Sequence, residues 1–78
     1  MAAPHAIHEE FPGDADRIHQ LKMTDGHFAR LLEEYDRIND QVAGAESRQA
    51  PMSDEAETDL RKRRARLKDE IARFLAGT

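Results

Sequence analysis

Two rows of apolar residues with a seven-residue period dominate this chain, and a polar break separates them. Within each row the apolar positions recur at steps of three and four residues, or at a full seven, which places them on one side of an α-helix. The first row is Phe28, Leu31, Tyr35, Ile38 and Val42, and the second is Leu60, Leu67, Ile71 and Phe74. The pattern therefore predicts two helices that bury their apolar sides against each other.

The break between the rows predicts a turn, because residues 44–53 carry Gly, Ser, Gln and Pro. The first long helix is predicted near residues 25–47, and the second near residues 54–76 with Gly77 at its end. Ser53 or Asp54 can cap the start of the second helix.

A turn centred near residue 51 makes the two rows face each other in opposite directions. Facing residues then have numbers that sum to about 102, so Phe28 should meet Phe74 and Tyr35 should meet Leu67. Arg64 falls opposite Ile38, where its aliphatic stem can lie on the seam and its guanidinium can reach water or the Tyr35 hydroxyl.

The amino-terminal part has a different pattern. Residues 1–13 hold two prolines and no sustained period, and they predict a flexible arm. A short helix is predicted over residues 14–23, capped by Asp14 or Asp16. The predicted domain organisation is a flexible arm at 1–13 and a single helical domain at 14–78. The predicted fold class is all-α, an antiparallel two-helix coiled-coil hairpin preceded by a short helix.

The small number of large apolar residues predicts self-association. The chain has 78 residues with no Trp, one Tyr and three Phe, so one copy can bury only a limited core. Several apolar side chains flank the seam and would be only partly covered in a monomer. This candidate apolar association surface consists of Ile18, Leu21, Leu32 and Leu75.

The location is predicted from features that the sequence lacks. No apolar run approaches the roughly 20 residues of a membrane span, and residues 1–10 do not have the basic start and apolar run of a signal peptide. The chain has no Cys, which excludes disulfides and suits a reducing compartment. We therefore expect a cytoplasmic protein without a membrane span.

Two stretches resemble a known family of small bacterial proteins. Residues 11–38 read FPGDADRIHQLKMTDGHFARLLEEYDRI, and residues 60–75 read LRKRRARLKDEIARFL. They resemble the YdcH family, also known as domain of unknown function 465. The positions that match its motifs are Ile18, Leu21, Lys22, Asp25, Phe28, Glu34, Tyr35, Asp36, Leu60, Leu67, Lys68, Asp69, Glu70 and Ile71. The resemblance implies a helical hairpin in a bacterial cytosol, with no assigned activity and no catalytic residues. Ala65 departs from the family, which often has Leu there.

The histidines and the carboxylates are the residues that could supply a metal site or acid–base chemistry. His5 and His8 lie in the predicted arm, while His19 and His27 are eight residues apart across a predicted helix break, and no HExxH pattern occurs. The acidic residues of the first long helix lack a pocket that would shift their pKa values and hold a substrate. We therefore expect no enzyme, no metal and no cofactor, and no small-molecule substrate.

Charge is distributed unevenly along the chain. Residues 1–59 hold 5 Lys or Arg and 14 Asp or Glu, a net charge of −9, whereas residues 60–78 hold 7 and 2, a net charge of +5. On the second long helix, Lys62, Arg66 and Arg73 point away from the apolar row and form a candidate interaction ridge. The ridge can bind a polyanion or an acidic partner, or it can be a solvated face that neutralises the acidic first helix. Surface charge runs usually serve solubility and pairing, which favours the second interpretation.

Two classes of function follow from these patterns. The first is a structural or protein-interaction module that self-associates or docks helix against helix onto a protein partner. The alternative is a nucleic-acid-associated accessory protein that uses the basic ridge.

Overall fold

The computed structural model describes residues 5–77, and every regular element within that range is helical. The elements are α1 (Ile7–Glu10), a 3₁₀ turn (Pro12–Asp14), α2 (Ala15–Thr24), α3 (Gly26–Glu46) and α4 (Asp54–Leu75). The all-α prediction is confirmed. Each end of the two long helices lies within one residue of its predicted position, because the heptad pattern and the capping residues agree there.

One residue, Asp25, both ends α2 and begins α3. Its backbone N–H donates to the Leu21 carbonyl at 2.8 Å, which completes the last turn of α2. Its side-chain Oδ1 accepts from the N–H groups of His27 and Phe28 at 3.0 and 3.1 Å. The backbone of Asp25 is extended, so α2 and α3 meet at a corner with a single residue between them.

The end of α3 is closed by a Schellman arrangement with Arg48 in the left-handed conformation. Arg48 has a φ of 63°. Its N–H donates to the Ala45 carbonyl at 3.1 Å, and the N–H of Gln49 donates to the Gly44 carbonyl at 3.0 Å. Ser53 then caps α4 through its hydroxyl, as the sequence predicts.

The hydrophobic core runs along α3 and α4. Its buried members are Ile7, Phe28, Leu31, Leu32, Tyr35, Ile38, Leu67 and Ile71. The rings of Phe28 and Phe74 meet edge to face with centroids 5.3 Å apart, so this predicted contact between the two rows is confirmed. Most of the buried side chains belong to α3, which makes it the central helix of the fold.

The amino-terminal segment differs from the predicted arm. Within residues 5–13 the chain forms α1 and places Ile7 in the core at 8% exposure, with Phe11 packed against that core. These two residues are four apart, so one helical turn puts both on the same side. Residues 1–4 of the predicted arm lie outside the described residues.

Two further expectations require correction. Leu32 was expected to be only partly covered, but it is 7% exposed and belongs to the same buried cluster as Ile7 of α1. Neither predicted acidic cap operates at the start of α2: Asp14 stands at the N-cap position without a side-chain cap hydrogen bond, and Asp16 lies inside the helix. The 3₁₀ turn leads directly into α2 instead.

Candidate interaction surfaces

Several basic residues of α4 are engaged by carboxylates within the chain. The Arg61 guanidinium lies 3.0 Å from Glu46 of α3 and 2.7 Å from Glu57 of its own helix. Arg63 lies 3.6 Å from Glu34 of α3. The two Glu46 and Glu57 carboxylates raise the pKa of Arg61 above its ordinary value, with the Glu46 hydrogen bond as the largest cause. Much of the basic run therefore neutralises acidic groups of the same molecule.

Arg64 makes a polar contact that the sequence analysis did not anticipate. Its guanidinium donates to Oδ1 of Asn39 at 2.9 Å, and Asn39 is 3% exposed. The predicted position of Arg64 on the seam agrees with this half-buried location. The predicted register places Arg64 opposite Ile38, and Asn39 is the next residue along α3, so the signal for this contact was the polar neighbour of the predicted facing position.

The candidate interaction ridge lies on the solvent side of α4. Lys62, Arg66 and Arg73 are all exposed. Among the described residues, Lys62 and Arg66 have no carboxylate within 4 Å, and they are one helical turn apart on the same side of α4.

The residues of the candidate apolar association surface do not share one exposure. Ile18, Leu21 and Leu75 are half-buried and pack against the core of their own chain, whereas Leu32 is buried. Met23, which the sequence analysis did not single out, is 74% exposed at the carboxyl end of α2. Among the described residues, Met23 of α2 is therefore the exposed large apolar side chain, while the half-buried ones are divided among Phe11, α2 and α4.

A cleft of about 600 Å³ lies between α1, α2 and α3. Apolar side chains contribute to its lining, among them Ile7, Ile18 and Leu32. Asp36 and Asp40 of α3 stand along the same cleft. Partial burial raises the pKa of Asp36 above its ordinary value, and the neighbouring Asp40 carboxylate adds to this effect.

Polar contacts join residues 5–10 to both long helices. The Tyr35 hydroxyl donates to the backbone carbonyl of His5. The Glu10 carboxylate lies 3.0 Å from Nδ1 of His5 and 3.3 Å from Nζ of Lys68 on α4. The His5 contact is the largest cause of a lowered pKa at Glu10. Burial raises the pKa of Tyr35, and the Glu10 charge raises it further. These polar contacts were not predicted from the sequence, although the four-residue spacing of Ile7 and Phe11 was a signal that this segment packs on the core.

Two of the histidines contact side chains of the same chain. His5 pairs with Glu10, and the ring of His27 lies 5.6 Å from that of Phe74. Within residues 5–77, no group of three or more His, Asp or Glu side chains is arranged to hold a metal ion.

A helix that crosses a bilayer must be both long and apolar. In the part of the chain that the structure describes, no helix combines the length and the apolar character needed to cross a bilayer.

Comparison with known proteins gives a family and no individual relative. A family model described as "Protein of unknown function (DUF465)" matches residues 28–75. The chain belongs to the DUF465 family. This is the family that the sequence motifs indicate, and the match spans α3, the turn and α4, while Ile18 and Leu21 of α2 precede it. No curated protein matches the chain. No solved structure matches it either.

Proposed function

We propose that this DUF465 member is a non-enzymatic protein-interaction module of the cytoplasm that acts by helix-to-helix association. In this proposal α3 and α4 form an antiparallel coiled-coil hairpin that serves as the scaffold, and the short helix α2 presents the association surface. The partner is a second copy of the chain or another protein with an apolar helical face.

The contacts between α3 and α4 support the hairpin scaffold. Glu46 at the end of α3 meets Arg61 near the start of α4, while Phe28 near the start of α3 meets Phe74 near the end of α4. Residue numbers thus fall along α4 as they rise along α3. The seven-residue period of the buried side chains is that of a coiled coil.

The observation that carries the association proposal is the incomplete burial of α2. This helix has no buried residue, although Ile18 and Leu21 pack on the core and Met23 projects into solvent. An amphipathic helix gains stability when its apolar side is fully covered. A second helical surface laid along α2 would supply that cover.

Light scattering at increasing protein concentration tests this proposal. We expect the mass of the wild-type chain to rise above that of one copy, because association covers Met23 and the accessible parts of Leu21. The variant Met23→Glu should stay monomeric, since it places a charge on the association surface.

The matched control is Gln20→Glu, which adds the same charge at another exposed position of α2 and should associate like the wild type. A wild-type chain that stays monomeric at every concentration would contradict self-association. Equal association of both variants would contradict the role of Met23.

A nucleic-acid-associated role is the second candidate, and the exposed pair Lys62 and Arg66 favours it. Both side chains are available to phosphate, and Arg73 lies further along the same helix. The pairing of Arg61 and Arg63 with carboxylates reduces the charge that the helix presents. The basic surface left for a polyanion is correspondingly small.

The triple variant of Lys62, Arg66 and Arg73 to Gln tests this candidate. Binding of a nucleic-acid duplex by the wild type should fall with salt, with a logarithmic slope of about −0.9 for each phosphate contacted. The triple variant should lose that binding and keep its helical circular dichroism. If the wild type shows no salt-dependent binding, the ridge is a solvated face.

A further inference from the structure

The segment comprising α1 and Phe11, residues 7–11, is held on the two long helices as a docked peptide would be. Ile7 is buried in the core cluster and Phe11 packs against that cluster. The Glu10 carboxylate reaches Lys68 on α4, and the Tyr35 hydroxyl on α3 donates to the carbonyl of His5, two residues before Ile7. The segment therefore contacts α3 and α4 through both apolar and polar groups.

This segment depends on its docking site for its structure. Helix α1 has four residues and no side-chain cap hydrogen bond, and an isolated helix of that length is unstable in water. Pro12 and Gly13 separate it from α2, so it can detach without unwinding α2, and its departure uncovers the core cluster to which Ile7 belongs.

The contacts define which ligand the site accepts. It takes two apolar side chains four residues apart, here Ile7 and Phe11, on one side of a helical turn. A carboxylate just before the second apolar residue meets Lys68. A backbone carbonyl ahead of the turn accepts from Tyr35. These are the features of helix-in-groove recognition.

We propose that the surface of α3 and α4 beneath α1 is a docking site for a short acidic helical segment of another protein, and that α1 occupies it in the free chain. The partner segment carries two apolar residues four apart and a carboxylate directly before the second. Partner binding requires α1 to leave, so competition from α1 lowers the apparent affinity of the chain for the partner. The site is distinct from the α2 surface, and its test does not depend on association through α2.

The test uses the full chain with Ile7→Asp and a synthetic peptide of residues 5–14 added in trans. Tyr35 is the one tyrosine of a chain without tryptophan, and the peptide contains neither, so ultraviolet absorbance reports on Tyr35 alone. Opening α1 removes both the cover of Tyr35 and the nearby Glu10 charge. The tyrosine pKa of the variant should therefore fall, and saturating peptide should raise it again.

Binding of the peptide should depend on vacancy of the site. We expect Ile7→Asp to bind the peptide at least about tenfold more tightly than the wild type, whose own α1 competes at high effective concentration. The control Glu9→Asp introduces the same residue at an exposed position of α1 and should behave like the wild type. A peptide with Asp at position 7 should not bind.

A charge reversal checks the polar contact. In the Ile7→Asp chain, Lys68→Glu should weaken binding of the natural peptide about twofold to fivefold at low salt, because the pair is partly exposed. A peptide with Lys in place of Glu10 should recover the loss. If Ile7→Asp loses its helical circular dichroism, Ile7→Ala opens the segment without a buried charge and carries the same measurements.

Three outcomes would overturn the proposal. A folded, opened variant that shows no saturable peptide binding would mean that the surface does not act as a separate site. Equal binding of the natural and Asp-substituted peptides would mean that Ile7 does not direct recognition. A wild-type chain that forms dimers while its α1 amides stay protected from exchange, with the dimers lost in Ile7→Asp, would identify a second copy as the occupant instead.

Discussion

The two long helices and the amino-terminal segment, residues 5–24, are stabilised in different ways. Along α3 and α4, Phe28, Tyr35 and Ile71 are fully buried, and both helices begin with a side-chain cap. In the amino-terminal segment Ile7 is the one buried side chain among the described residues, and neither α1 nor α2 has a side-chain cap hydrogen bond. The first region builds the core, and the second adds to a core that already exists.

The difference follows from helix length. Helices α3 and α4 have 21 and 22 residues, so each spreads the cost of nucleation over several turns and presents several apolar layers to the other. Helix α2 has 10 residues and α1 has four. Their conformation depends on contacts with the long helices, which is why both proposals involve this region: α2 presents one surface, and α1 occupies the other.

A charge in the core between α3 and α4 should destabilise the more stable of the two regions. Phe28→Asp or Leu67→Asp places an unpaired carboxylate in the core and should cost at least about 3–5 kcal/mol, enough to abolish cooperative folding. The control Gln20→Asp, at an exposed position, should change the free energy of unfolding by less than about 0.5 kcal/mol. Thermal melts followed by circular dichroism measure both. Similar melts for Phe28→Asp and Gln20→Asp would contradict the assignment of the core to α3 and α4.

Loss of the Asn39 amide should weaken the polar contact between the long helices. Asn39→Ala removes the acceptor of the half-buried Arg64 guanidinium and should cost about 1–3 kcal/mol of unfolding free energy. Asp40→Ala is the matched control on the next, exposed position and should have a much smaller effect. Denaturant unfolding curves distinguish the two, and an equal effect would show that the Arg64 contact adds no stability.

Ionisation of Tyr35 at alkaline pH should destabilise α1 before it destabilises the two long helices. Its pKa is raised in the folded chain by burial first and by Glu10 second, so the stability from the neutral hydroxyl is fully present below the ordinary value of about 10 and is lost as the pH rises through the higher folded value. Ionised Tyr35 cannot donate to the His5 carbonyl. We expect α1 amides to lose exchange protection in this pH window before α3 and α4 unfold.

Tyr35→Phe supplies the control for this pH dependence. It lacks the hydroxyl, so it should cost about 0.5–1.5 kcal/mol at neutral pH and remove the alkaline step that Tyr35 contributes. A step of the same size and midpoint in Tyr35→Phe would assign the alkaline transition to another group.

Relief of backbone strain at Arg48 should give the smallest change in the free energy of unfolding. It should further stabilise the region formed by α3 and α4. Arg48 has a φ of 63° at a position where helices usually place Gly. Arg48→Gly should stabilise the chain by about 0.5–1 kcal/mol, since the strain of the left-handed conformation outweighs the added freedom of the unfolded chain. Gln49→Gly, next in the chain, should give no gain. Thermal midpoints measure both variants, and a loss of stability in Arg48→Gly would show that the Arg48 side chain matters more than its backbone.

Sequence reasoning succeeded where several local signals agree. The heptad rows, the cap at Ser53 and the turn between the rows all point to the same two long helices, and the structure has them within one residue. It failed at α1, because a four-residue helix carries too few positions to show a period. Of the candidate site residues, the three ridge cations lie on the exposed side of α4 as expected, but Leu32 is buried in the core cluster that also contains Ile7.

The sequence by itself determined the all-α class, the length and ends of the two long helices and the direction of their apolar sides. These depend on interactions between residues close in the chain, so a repeating pattern reveals them. Only the tertiary structure decided which cations of α4 are paired, that Asn39 receives Arg64, and that Ile7 and Glu10 return to α3 and α4. Those contacts join residues far apart in the chain, and their formation depends on the three-dimensional placement of a short segment that has no strong preference of its own.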